Sequence, residues 1–189
     1  MSAPTPLMEV YKDVMVVVPV GDVDAVDFTK MPAIGTDCLN GGTVIVLACP
    51  LAAILAHMPR LPPSPSDHAL TVSMEELQRI LSEVVARYAS KQADGQGHHF
   101  RAQDTVSMVV AAQDGSGELQ APHHVVAIVS ELRALGLAPT IHPYETEALP
   151  KDNSSLMVVS LDFGDGQELP RLYVADELAT GSTRLKGES

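Results

Sequence analysis

The chain has 189 residues, of which 46% are hydrophobic, enough to build a sizeable core in one globular domain of ordinary size. Its formal charge of −12 repels phosphate backbones and anionic headgroups, so neither nucleic acid nor a membrane surface is an expected partner. No run approaches the ~18 apolar residues of a membrane span, Glu9, Lys12 and Asp13 interrupt the N-terminal apolar residues, and Cys38 and Cys49 are too few for a disulfide framework, so a soluble, cytoplasmic protein is expected.

Residues 1–7, with Pro4 and Pro6, read as a disordered tail, 8–176 as one domain and 177–189 as a second tail. Val10, Val14, Val16 and Val18 recur at even spacing, which predicts a strand or strand pair over 8–20. Residues 22–31 carry Asp22, Asp24 and Asp27 without a clear period and end at Met31-Pro32, so they read as a loop or short turn that delivers the chain to Thr36.

The stretch from Thr36 is the most informative. Thr36-Asp37-Cys38-Leu39-Asn40-Gly41-Gly42 is a polar, glycine-bearing loop that feeds the apolar run 43–49. A Cys49-Pro50 turn leads into a second apolar run, closed by the single polar residue His57 before Met58-Pro59. Two apolar runs about a turn predict a buried antiparallel hairpin, and antiparallel pairing sets the Thr36–Gly42 loop beside His57 at its open end.

Four prolines over 59–67 (Pro59, Pro62, Pro63, Pro65) exclude a regular element there. Ser73-Met74-Glu75-Glu76 fits a capping box, and Leu77, Ile80, Leu81, Val84, Val85 and Tyr88 recur at three- and four-residue spacing, so a helix is expected over 74–90. A polar connector with Gly95 and Gly97 follows. Residues 105–112 read as a compact strand ending in the Asp114-Gly115-Ser116-Gly117 turn. Pro122 opens a second helix through Val125, Val126, Ile128, Val129, Leu132 and Leu135, with Gly136 as its left-handed cap. Short strands are expected at 140–144, 156–163 and 171–174. No fixed-period repeat, G-x-G-x-x-G or P-loop occurs, so nucleotide-binding folds lose their support. The expected fold is α+β: a single layered domain with mostly antiparallel sheets at its centre, flanked by two main helices.

Both thiols read first as small buried hydrophobes, and a histidine ending an apolar strand reads first as a satisfied structural residue. The adjacent pairs His98-His99 and His123-His124 diverge on a helix or strand and chelate one ion poorly, so no metal site and no cofactor are expected. Asp162, Asp165 and Asp176 read as turn and surface residues.

The hairpin stretch resembles the CheD chemoreceptor deamidases and, more remotely, the cysteine-hydrolase fold of cytotoxic necrotizing factor and the YfiH-type laccase-domain proteins. Thr36, Gly41-Gly42, Cys49-Pro50, Ala56-His57 and Pro59 occupy the places of a motif in which a threonine precedes a Gly-Ser-Cys strand head, a turn ending in proline and a strand ending in Ala-His. The order and length of the later elements are also similar, so the resemblance covers most of 8–176. It implies a CheD-like fold and hydrolysis of a glutamine side-chain amide, in which a Cys thiolate attacks, a His moves the proton and a third polar group orients the imidazole. This chain departs from the pattern at the nucleophile, where Gly42 stands in place of Cys.

Three functions follow from that resemblance and its departure. The first expectation is a diverged pocket enzyme in which His57, oriented by Thr36, performs acid–base chemistry on a small molecule held by Asn40, Gly41 and Gly42, without a covalent step. The second is a glutamine deamidase or amidase rewired to Cys38, acting on a glutamine-bearing substrate. The third is a non-catalytic pseudoenzyme that binds a protein or metabolite through the old pocket.

Overall fold

The computed structural model describes residues 5–61, 67–93, 100–146, 155–160 and 169–179. Its elements in chain order are α1 (Leu7–Tyr11), β1 (Met15–Val17), β2 (Val23–Asp27), β3 (Ala33–Thr36), β4 (Thr43–Cys49), β5 (Ala52–Met58), α2 (Asp67–Ala93), a 3-10 turn (Ala102–Asp104), β6 (Val106–Gln113), α3 (Pro122–Ala134), β7 (Thr140–Glu145), β8 (Leu156–Val159), β9 (Arg171–Val174) and β10 (Glu177–Leu178). One sheet has the strand order β1-β3-β8-β9-β10 and the other β2-β5-β4-β6-β7. Among the described pairings only β1 with β3 and β6 with β7 run parallel.

Side-chain alternation sorts these strands into layers. Val44, Val46, Leu55 and Val110 from the second sheet meet Ile34, Leu156, Val158 and Leu172 from the first, which makes the inter-sheet core. The opposite face of the second sheet turns Ile45, Leu47, Ile54 and Val109 toward Leu77, Ile80 and Val84 of α2 and Val125, Ile128 and Leu132 of α3. Helix α1 lays Leu7, Met8 and Tyr11 on the outer face of the first sheet, over Met15, Ala33, Met157 and Val159. The result is the α+β arrangement expected from sequence, with mostly antiparallel sheets at the centre and helices outside. Every residue of β4 and β5 is buried because both faces of their sheet are covered, which is why the hairpin reads as unbroken apolar runs.

Several local readings change. The strand expected over 8–20 is a short helix followed by the three-residue β1; Val10 and Val14 are exposed, and Leu7, placed in the tail from sequence, begins α1. Even spacing of valines there reflects neither a continuous strand nor a continuous buried face. The loop expected over 22–31 contains β2, an edge strand pairing Val23↔Ala56 through Asp27↔Ala52. Its aspartates are the charges an edge strand carries, and Asp24 pairs with Arg87 of α2 at 3.0 Å. Ser73 does not cap a helix: α2 starts at Asp67, and Ser73 Oγ instead lies 2.6 Å from His124 Nε2. At the C-terminal end, Glu177–Leu178, placed in the second tail from sequence, forms β10 and pairs with β9, and residues 180–189 of that expected tail lie outside the described residues. Helix α3 begins at Pro122 and is followed by Gly136 at φ 79, as the sequence predicts. The expected features at 161–163 and at Asp162, Asp165, Gly95, Gly97, His98 and His99 lie outside the described residues.

Leu55, fully buried between the sheets, should be the sensitive test of this layering. Leu55→Ala is expected to lower the unfolding free energy by about 2–5 kcal/mol in a urea titration, whereas Val126→Ala, at a site 69% exposed on α3, should stay within about 0.5 kcal/mol.

Candidate functional site

Strand β3 ends at Thr36 in one sheet, and His57 stands one residue before the end of β5 in the other. His57 continues the alternation of Ala53 and Leu55, so its ring points into the inter-sheet space. There its Nδ1 lies 2.7 Å from Thr36 Oγ1, and both residues are almost completely buried. Backbone bonds from His57 N to Asp22 O and from Gly21 N to His57 O fix the strand at this point.

The hydroxyl's other partner determines the tautomer. Thr36 Oγ1 lies 2.7 Å from Val18 O, a carbonyl that can only accept, so the single hydroxyl hydrogen goes there. Thr36 therefore accepts from His57 Nδ1–H, and the neutral ring carries its lone pair on Nε2. Burial pushes the His57 pKa down to about 4, with nearby Asp37 opposing the shift without reversing it.

Nε2 faces Gly42. A Cβ built on Gly42 would lie 2.7 Å from His57 Nε2, 2.6 Å from Met58 O and 3.1 Å from Leu39 O. Two of those three atoms are backbone, so position 42 accepts no side chain unless the β4–β5 end opens. The adjacent Gly41 has a different requirement, a φ of 91, and the Arg60 side chain crosses where its Cβ would be.

The loop is held from below by Tyr144 of β7. Its hydroxyl accepts from Gly41 N–H at 3.1 Å and faces Gly42 O at 2.9 Å and Leu39 O at 3.1 Å. Burial pushes the phenol up to about 12. Sequence reading placed Tyr144 in a strand but gave it no part in the site: it comes from a strand distant in the chain, and no local pattern signals which loop it meets.

Of the candidate residues, the structure thus brings together Thr36, His57, Gly41 and Gly42. Asn40 is exposed at the loop's tip with φ 34. Cys38 corrects the expectation of a buried thiol: with φ 55 it sits in a left-handed turn that swings it to the surface. No hydrogen bond joins Cys38 to His57 among the described residues. Cys49 is buried as expected, and burial raises its thiol pKa. His124 is buried against Ser73, Asp176 accepts from Leu7 N–H, and no cluster of three or more His, Cys, Asp or Glu suited to a metal forms among the described residues. Within those residues no helix is long and apolar enough to cross a membrane. No protein-family model matches the chain, and no curated protein matches it.

Two measurements probe the site directly. Tyr144→Phe removes the hydroxyl that serves three backbone groups and should cost about 1–3 kcal/mol, with faster hydrogen exchange at the Gly41 amide. The second is acid sensitivity. Because the folded His57 pKa lies below the unfolded value of 6.5, its neutral form stabilises the fold fully above pH 6.5, and that contribution declines until it is gone below about pH 4. The gap corresponds to on the order of 3 kcal/mol. His124 and His142 are shifted in the same direction by burial, so the wild type should be compared with His57→Gln at pH 7 and pH 4.5. The variant should lose less stability on acidification.

Proposed function

We propose that this chain is a CheD-like protein that keeps the histidine–threonine pair of a cysteine amide hydrolase, has given up the covalent step, and binds its ligand without turning it over. The observation that carries this reading is the closure at position 42. The place where the resemblance puts the nucleophile is filled by His57 Nε2 on one side and by Met58 O and Leu39 O on the others. Cys38, exposed and not bonded to His57, offers no replacement.

What remains is an acceptor. Neutral at pH 7, His57 Nε2 suits an N–H or O–H donor such as a primary amide, which reaches it when the Gly42 loop lifts from the ring, and the ligand is then a small amide-bearing molecule or a glutamine side chain presented by another protein. The tautomer also favours a second reading, acid–base catalysis without a thiol, since Nε2 is the nitrogen a general base uses. That reading is weakened by magnitude: a base works best with a pKa near the working pH, and about 4 is far below it.

Ammonia release from a glutaminyl peptide separates these functions. Wild type and Cys38→Ala should both release none above a His57→Gln control, while the same peptide shifts the His57 ring resonances of the wild type saturably. Release lost in Cys38→Ala would instead establish the cysteine hydrolase, and release lost only in His57→Gln the acid–base enzyme. Neither release nor any ring shift would remove the ligand reading. Iodoacetamide should label the exposed Cys38 and leave the buried Cys49 unmodified, with peptide binding retained.

A further inference from the structure

On the helix-covered side of the second sheet, away from the inter-sheet space that holds His57, lies a cavity of about 640 Å³. That volume falls within the roughly 300–1,000 Å³ of sites that enclose a small organic ligand. Leu61, which follows the end of β5, Met74 of α2, and Ala121, Pro122, His123 and His124 at the start of α3 form its walls, together with Gln120. Although the chain holds 12 basic and 24 acidic residues, no Asp, Glu, Lys or Arg is among the described residues that line it. Among the described residues a charged ligand would find no carboxylate, ammonium or guanidinium partner there and would lose its hydration on entry.

Two polar groups on the walls are already oriented by the protein. His124 is 2% exposed and its Nε2 is held by Ser73 Oγ at 2.6 Å. Gln120 directs its amide nitrogen to Thr146 Oγ1 at 3.1 Å and to Gln113 O at 3.4 Å. Those contacts use both N–H donors, so the atom Gln120 can offer a ligand is its carbonyl Oε1, which only accepts. Apolar walls with a fixed acceptor call for an apolar molecule with a matching donor, because a donor brought into such a site unpaired is penalised and a paired one is not.

We propose that this cavity is a binding site for a neutral, predominantly apolar small molecule that donates one hydrogen bond, from a hydroxyl or amide N–H, to Gln120. The site is separate from the Thr36–His57 pair and does not depend on the CheD-like reading.

Matched probes test the proposal on the full chain by amide-resolved NMR titration: 4-ethylphenol, ethylbenzene, which lacks the donor, and 4-ethylbenzoate, which replaces it with a charge. The expected result is saturable shifts from 4-ethylphenol confined to the amides of Leu61, Met74, Gln120, Ala121, His123 and His124, with ethylbenzene and 4-ethylbenzoate each at least about tenfold weaker. Gln120→Leu should weaken 4-ethylphenol about tenfold and leave ethylbenzene unchanged, which a merely misfolded variant would not do. Ala121→Trp, with an unchanged amide spectrum elsewhere, should abolish binding of all three by filling the cavity. Absence of saturable shifts, equal affinity for 4-ethylphenol and ethylbenzene, tighter binding of 4-ethylbenzoate, or indifference to Ala121→Trp would each overturn the proposal.

Discussion

The hydrogen bond from His57 Nδ1–H to Thr36 Oγ1 joins the two sheets across an interior that is otherwise mostly apolar, and the candidate site depends on it. A buried imidazole with an unsatisfied N–H would be penalised by desolvation, so the pair forms only if β3 and β5 approach at one mutual position. Thr36 then passes its own hydrogen to Val18 O, which ties in the segment beyond β1, already held by Val18 N–H to Gly35 O. Apolar side chains would tolerate sliding of the two sheets; this chain of donors does not. It sets which way the ring faces, and therefore that Nε2 and not Nδ1 meets the Gly42 loop.

The two adjacent glycines answer different physical demands, although in sequence they look like one flexible loop. Gly41 is needed for its positive φ and for the Arg60 side chain that crosses it, whereas Gly42 is needed because backbone oxygens and the imidazole occupy the place of a Cβ. Tyr144 makes both demands stricter. By bonding Gly41 N–H and facing the carbonyls of Leu39 and Gly42, it holds the loop down on His57. The loop is thus a fitted part of the core's polar edge.

How much of this was legible in the sequence follows from how local each cause is. The hairpin at 43–58 and the helix at Pro122–Ala134 were readable because continuous apolar runs, a proline at the helix start and Gly136 are signals carried within a few residues. The glycine loop and His57 could be grouped because antiparallel pairing of 43–49 with 52–58 brings them together, whereas Thr36, in the other sheet, was grouped with them through the resemblance as well. What escaped was non-local. β2 looked like a loop since its aspartates are explained only by its edge position and by Arg87 on α2. Ser73 looked like a cap because nothing nearby announces His124, and Tyr144 gave no sign of the loop more than a hundred residues before it. The exposure of Cys38 was hidden in a left-handed backbone angle that cysteine composition does not betray.

The low pKa of His57 and the glycine at 42 are two sides of one electrostatic fact. In a thiolate–imidazolium pair the sulfur's negative charge stabilises the protonated ring, and that attraction is what keeps a buried histidine able to take up a proton near pH 7. Gly42 brings no such charge to His57, burial acts almost alone, and Asp37 is too weak an influence to offset it, so the value lies at about 4. Met58 O and Leu39 O close over the place that a side chain at position 42 would take. A dry, closely packed, neutral imidazole is stable there, and a protonated one is not. Glycine at position 42 and a neutral His57 are therefore one arrangement: the ring's Nδ1–H is held by Thr36, its Nε2 lone pair faces the loop, and neither a side chain at 42 nor a second ring proton fits without opening the end of the hairpin.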